Sequence, residues 1–265
     1  MMSISSCPVV ELRQYTLYGG RRDTLIELFD REFVIPQERL GLRLLGQFRD
    51  LDDPDRFVWL RGLASWEERP QALGAFYTGE AWKAHREAAN ATMLDSDNVL
   101  LLRPARASSG FAGAERDQRV AGIVTASIFY LGKTPAEAFA TFFAETMRPR
   151  LESLGANVLA EFVTETRPNN FPALPVRELD AVFVWFGRFN GEEAQQAFSE
   201  RLRREGAGGT QPRPSCSPRS CVNPSFCGSR RRRFPPCVEI QKDMHLRSGL
   251  IQQAHVVKND QIVAC

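Results

Sequence analysis

The first predicted strand carries three residues with the chemistry of a small-anion site. In Val9–Leu17, VVELRQYTL, a period of two puts Glu11, Arg13 and Tyr15 on one face and Val10, Leu12, Gln14 and Thr16 on the other. If neighbouring strands pair in register, Trp59 and Arg61 line the same side, and Glu161 answers from the second half. Arginine presents a planar fork of donors that grips an oxyanion with two hydrogen bonds. A barrel interior lined by Arg, Glu, Tyr and Trp would therefore suit a small anionic or polar ligand. The competing reading is structural: a buried Glu–Arg pair that ties two sheets together needs no ligand.

Histidine is scarce. His85 is the only one before residue 245 and lies in Trp82-Lys83-Ala84-His85-Arg86, on a predicted helix. An imidazole can both accept and donate a proton, so His85 could carry protons to and from a substrate. Its bland alternative is a half-exposed helix histidine bonded to a nearby carboxylate. The aromatic residues Trp59, Trp66, Phe76, Tyr77, Trp82 and Trp185 either shape a pocket or fill core, since each buries a large apolar area. The candidate set is thus His85 for acid/base chemistry, with Glu11, Arg13, Tyr15, Trp59, Arg61 and Trp82 for ligand binding. No metal site and no cofactor are expected. A Gly-rich phosphate loop, G-x-S-x-G and H-E-x-x-H are all absent from the sequence.

These residues need elements to position them. The stretch Leu42–Leu63 reads as a hairpin, with alternating strands on either side of Asp50-Leu51-Asp52-Asp53-Pro54-Asp55. Asp side chains bond nearby backbone N–H groups and Pro54 pre-sets its own φ, which is the chemistry a turn requires. A helix from about Arg21, with Leu25, Leu28, Phe29 and Phe33 at helical spacing, precedes it and is interrupted by Pro36. Ser65 is a plausible cap for the next helix, a further helical piece runs Glu80–Met93, and Asn98–Leu102 closes the half as a strand. After a polar stretch the order begins again: strand Val120–Leu131, a helix from Thr134 to Leu154 bent at Pro149, strands Asn157–Glu165 and Asp180–Phe189, and a helix to about Arg204.

The chain therefore repeats one β-α-β-β-α pattern. Phe57-Val-Trp59-Leu-Arg-Gly62 answers Phe183-Val-Trp185-Phe-Gly187. This is the ferredoxin-like module, whose sheet has helices on one face only. A second module in tandem can cover the bare face. The fold class is α+β, with two tandem ferredoxin-like modules of the dimeric α/β barrel type packed sheet to sheet. Residues 8–104 form the first module, 105–119 a linker, and 120–205 the second, possibly incomplete module.

Composition narrows the function. Residues 1–205 hold 25 basic and 29 acidic residues, a poor footprint for nucleic acid. Residues 206–265 hold nine Lys/Arg against three acids, and five of the six cysteines. The body thus lacks a disulfide framework, which fits a reducing, cytoplasmic setting. No apolar run is long enough for a membrane span. In the tail, Cys216, Cys221, Cys227, Cys237 and Cys265 lack the short paired spacing of zinc ligands, and Arg230 to Arg233 form a basic run. The abrupt shift to Pro, Arg, Ser and Cys reads as an irregular, disordered or out-of-frame end, which would leave the second module with an unpaired edge.

Several stretches resemble the NIPSNAP family: Val10-Glu-Leu-Arg-Gln-Tyr15, Gly20-Arg21, Gly46-Gln-Phe-Arg-Asp50, Phe57-Val-Trp-Leu-Arg-Gly62, Phe76-Tyr77, Trp82-Lys-Ala-His85 and the run Asn90 to Asp97. The resemblance spans about residues 8–205 and is carried mainly by strand pattern in the second half. It implies a dimeric α/β barrel fold, in a group that includes cofactor-independent monooxygenases, haem-handling enzymes and isomerases. Fold analogy alone is a weak warrant for chemistry. The first expectation is a NIPSNAP-like protein that binds a small ligand or a protein partner. The alternatives are a cofactor-independent monooxygenase or isomerase acting on a small, possibly aromatic compound, and an oligomeric scaffold with a filled barrel. A homo-oligomer is expected, with no nucleic-acid partner.

Overall fold

A computed structural model describes residues 7–111, 122–207 and 251–262, the last segment by its backbone alone. The first module runs β1 (Val9–Leu17), α1 (Arg22–Leu28), a π turn (Phe29–Phe33), α2 (Val34–Arg39), β2 (Arg43–Asp50), β3 (Arg56–Leu63), α3 (Arg69–Thr78), α4 (Glu80–Asn90), β4 (Met93–Asp95) and β5 (Val99–Pro104). The second runs β6 (Gly122–Tyr130), α5 (Ala136–Phe142), a π turn (Phe143–Met147), α6 (Arg148–Ser153), β7 (Asn157–Thr164), β8 (Val182–Phe189) and α7 (Glu192–Ala207), with β9 (Ile251–Ile262) at the end.

The repeat is closer in structure than in sequence. In both modules the first helix is a seven-residue α segment, a five-residue π turn and a six-residue α segment. Pro36 and Pro149 each lie within a few residues of a π turn. A proline removes a helical donor, so the ladder must change register nearby. Each helix then stops at a glycine in the left-handed region, Gly41 at φ 79° and Gly155 at φ 102°. The following strand carries a register shift in both, between Leu44 and Gly46 and between Val158 and Ala160. In the first hairpin's turn, Asp50 and Asp53 accept the N–H groups of Asp52 and Asp55 at 2.9 and 3.0 Å, as the acidic sequence predicts.

The strands form one nine-stranded antiparallel sheet ordered β3-β2-β9-β6-β8-β7-β5-β1-β4, and a β1–β3 pairing closes it. β4 hangs on the end of β1; the remaining strands make a barrel without free edges. The closure is reciprocal. β5 pairs with β1 of its own module and β7 of the other, while β9 pairs with β6 of its own and β2 of the other. The edge of the second module that was expected to stay unpaired is paired. Residues 251–262, with Val256 and Val257 among polar neighbours, supply the closing strand between β2 and β6. The tail cysteines and Arg230 to Arg233 lie outside the described residues. Cys7, the one cysteine of residues 1–205, is disulfide-bonded.

Inside the barrel the two sheets share one apolar core: Val10, Leu12, Phe48, Val58 and Leu60 meet Val124, Ile128, Phe162, Val184 and Phe186. Separate cores lie between each sheet and its own helices. No helix among the described residues is long and apolar enough to cross a membrane.

Removing residues 251–265 strips the strand that joins β2 to β6 and exposes backbone donors on both. The truncated chain is expected to lose its single cooperative melt by circular dichroism and to aggregate by light scattering. An unchanged melt would show that the barrel does not depend on β9.

Candidate functional site

The pairing of β1 with β3 sets Glu11 opposite Arg61 and Arg13 opposite Trp59. Parity then decides which way they face. Val10 and Leu12 enter the barrel, so Glu11, Arg13, Tyr15, Trp59 and Arg61 face the helices of the first module. This corrects the expectation of a polar barrel interior. The inner space is closed on all sides by facing strands and fills with aliphatic and aromatic side chains. The helix side offers Glu11 and its arginines polar partners.

There the five residues converge with two that sequence reasoning missed, Gln37 and Arg69. Glu11 is fully buried. Its Oε2 accepts from Arg13 Nη1 at 2.8 Å and from Nε and Nη2 of Arg61, the former at 3.0 Å. Its Oε1 accepts from Arg69 Nε at 2.9 Å. Arg61 Nη1 donates to Gln37 Oε1 at 3.0 Å, and Arg13 Nε donates to the Tyr15 hydroxyl oxygen at 2.9 Å. The Arg13 and Arg61 guanidiniums each lie 5.3 Å from the Trp59 ring. Trp59 Nε1 is buried without a hydrogen-bond partner among the described residues.

Burial by itself would raise the Glu11 carboxyl. The charges of Arg61, Arg13 and Arg69 outweigh that and hold it well below the ordinary carboxylate range. Burial raises the Tyr15 hydroxyl, against the opposing pull of Arg13. Three buried guanidiniums thus surround one carboxylate. Among the described residues no second acid pairs with Arg13, Arg61 or Arg69, so the cluster carries two positive charges in excess.

Trp82 stands in an aromatic wall beside this cluster, its ring 5.4 Å from Phe33 and 5.0 Å from Tyr77. His85 lies at the outer rim of the same wall, 6.4 Å from the Phe33 ring, with Nε2 3.2 Å from Glu32 Oε2. It is a third exposed, and no contact joins it to Glu11, Arg13 or Arg61 among the described residues. Among the described residues no group of three His, Cys, Asp or Glu side chains converges as a metal ion would require.

The second module has the same frame and different chemistry. Thr125 stands opposite Gly187, where Glu11 stands opposite Arg61; Ser127 stands opposite Trp185, where Arg13 stands opposite Trp59. Glu161, expected to answer Glu11, sits instead on β7 opposite Trp185, the place that Gln47 holds opposite Trp59. It is bound by Arg106 and by Arg148, the latter at 3.1 Å.

No protein-family model matches the chain, and no curated protein matches it. Solved structures do. A Lactobacillus acidophilus protein provisionally described as a monooxygenase superposes with a TM-score of 0.54 at 13% identity, covering 97% of this chain and 96% of its own. An anthrone oxidase-like protein superposes with a TM-score of 0.53 at 10% identity, covering 99% and 95%. At such identities the likeness shows the fold, a tandem dimeric α/β barrel. A NIPSNAP domain protein from Burkholderia xenovorans covers 38% of this chain and 96% of its own, with a TM-score of 0.35 at 16% identity.

Replacing Glu11 by Gln leaves three buried guanidiniums without a counter-charge. Chemical denaturation at neutral pH is expected to show a loss of ~3–5 kcal/mol. Because the Glu11 pKa is depressed on folding, its stabilisation is complete above the ordinary value of 4.5 and is lost as the pH falls below it. The gap between wild type and Glu11→Gln should therefore narrow in acid; a constant gap would show that charge is not the cause.

Proposed function

We propose that the chain is an enzyme acting without a bound cofactor on a small aromatic or enolisable compound, as a monooxygenase or isomerase. The observation that carries this reading is the excess positive charge of the Arg13, Arg61 and Arg69 cluster beside an aromatic wall. A buried site with two unbalanced guanidinium charges stabilises an enolate or phenolate as it forms, and so favours removal of a proton from the neutral substrate. The full-length structural neighbours with monooxygenase and anthrone oxidase-like descriptions support the same class.

The chemistry then divides by where the electrons go. In isomerisation, the proton returns to a different carbon of the stabilised anion. In oxygenation, the carbanion reduces dioxygen directly. For an anthrone, the ring CH2 becomes C=O; one oxygen atom enters the ketone and the other leaves as water. The four electrons all come from the substrate, so no external reductant is needed. His85 is the proposed proton acceptor, oriented by Glu32. A second reading, a scaffold with a filled barrel, draws on the apolar interior.

Native mass spectrometry of protein purified without added ligand is expected to report a co-purified small acid or phenol. Anthrone oxidation, followed by oxygen electrode and by the quinone absorbance, is expected to consume one dioxygen per anthrone. His85→Gln should lower kcat by about 10²-fold. Full turnover in that variant would remove His85 from the chemistry. Wild-type protein that neither turns over anthrone nor carries a ligand would shift the reading to a binding or scaffold role.

A further inference from the structure

The loop between β7 and β8, residues 166–179, belongs to the second module by sequence and to the first by contact. Its root is tied to β5 of the first module: the Glu165 N–H donates to Leu101 O at 2.8 Å, and the Arg177 N–H donates to Val99 O at 2.9 Å. Its tip reaches the charged cluster. Arg69 Nη1 donates to Asn169 Oδ1 at 2.9 Å and to Asn170 Oδ1 at 2.8 Å, and Asn170 Nδ2 donates to Trp66 O at 2.8 Å. Phe171 lies on α3, with Cε2 4.0 Å from where a Cβ on Gly74 would be. Its ring is nearly parallel to that of Tyr77, 25° apart in plane and 6.4 Å between centroids.

The tip is braced from within. Asn169 accepts the Phe171 N–H at 3.1 Å, and its own N–H donates to Glu178. Asn169 Nδ2 donates to Leu174 O at 2.9 Å. Pro168, Pro172 and Pro175 fix three φ angles. A long loop with its own hydrogen bonds and restricted backbone is a preformed wall, which spares a ligand the entropy of ordering it.

One line of contact runs from this wall into the cluster and a second into the aromatic wall beside it. Asn169 and Asn170 hold Arg69, which holds Glu11, which holds Arg13 and Arg61. Phe171 faces Tyr77, which packs on Phe76 and Trp82. We infer that the loop of the second module is the specificity wall of the first module's site: Phe171 selects a planar aromatic body, and Asn169 and Asn170 are positioning residues for the anion-binding guanidiniums. The inference rests on the reading of that cluster as a ligand site. It makes the site a property of the tandem chain, since residues 8–104 contain the charges but not the wall.

The test is isothermal titration of the full chain with two probes that share a carboxylate and differ in aromatic area, benzoate and 2-naphthoate. Phe171→Leu is expected to weaken 2-naphthoate about tenfold and benzoate about twofold or less, because the lost ring contact grows with the aromatic area of the acid. Phe171→Tyr keeps the ring and should stay within about twofold of wild type for both. Asn170→Ala should weaken both acids alike. If wild type binds and Phe171→Leu and Asn170→Ala keep wild-type affinity for both acids, the wall is overturned while the anion site stands. If Phe171→Leu melts early, Asn170→Ala alone is read the same way. If wild type binds neither acid, the ligand site and its wall fall together.

Discussion

A single buried carboxylate sets the terms for the first module. Glu11 sits on a central strand where water does not reach, and an isolated charge there would cost far more than any one contact returns. It persists because three guanidiniums come from three directions: Arg13 along its own strand, Arg61 across the hairpin, Arg69 from the start of α3. Each of those then needs acceptors of its own. Tyr15, Gln37, Asn169 and Asn170 supply them, which draws in β1, the helix after the π turn and a loop from the far module. One charge thereby fixes the relation of several elements, and the partners over-neutralise it. That surplus is what distinguishes the cluster from a charge-balanced structural ion pair.

The barrel makes this arrangement possible by keeping the charges out of its interior. Each module's sheet has one bare face and one helix-covered face. Exchange of β5 and β9 between modules closes the bare faces on one another and removes the edges. What is enclosed, among the described residues, is mainly an aliphatic and aromatic core. On the other face, the π turn ends at Phe33, whose carbonyl accepts from Gln37 Nε2 at 3.3 Å while Gln37 Oε1 takes Arg61. A helical irregularity beside Pro36 thus becomes part of the polar frame.

Much of this was legible in the chain. Period two alone puts Glu11, Arg13 and Tyr15 together, and the matched Phe-Val-Trp strands reveal the tandem modules. What the pattern does not carry is the sign of the face, because alternation is the same whichever side the helices cover. Long-range partners were equally hidden. Arg69 reads as one more charge in Glu67-Glu68-Arg69 at a helix start, and Gln37 as an ordinary polar residue after a proline. Asn169 and Asn170 sit in a loop whose length was noticeable and whose destination was not. The closing strand β9 was missed because the composition before it pointed to disorder, and its own alternation is weak. His85 illustrates the reverse. Its residue type stood out at once, but its carboxylate partner Glu32 lies on another element and needed the fold to be found.

The two modules together explain why the chain should carry one such site rather than two. The second keeps the frame: the same helix segments, the same register shift and a tryptophan at the same place opposite β6. It lacks the charges, with Thr125, Ser127 and Gly187 where Glu11, Arg13 and Arg61 stand. At Gly187 a Cβ would come within 2.6 Å of the Trp185 ring, so the indole lies over backbone at the position from which Arg61 extends in the first module. An arginine could not be restored there without moving the ring. The position from which the Arg61 guanidinium extends in one half is covered by an indole ring in the other. The half that forgoes the charges keeps its own role by lending its long loop to the half that bears them.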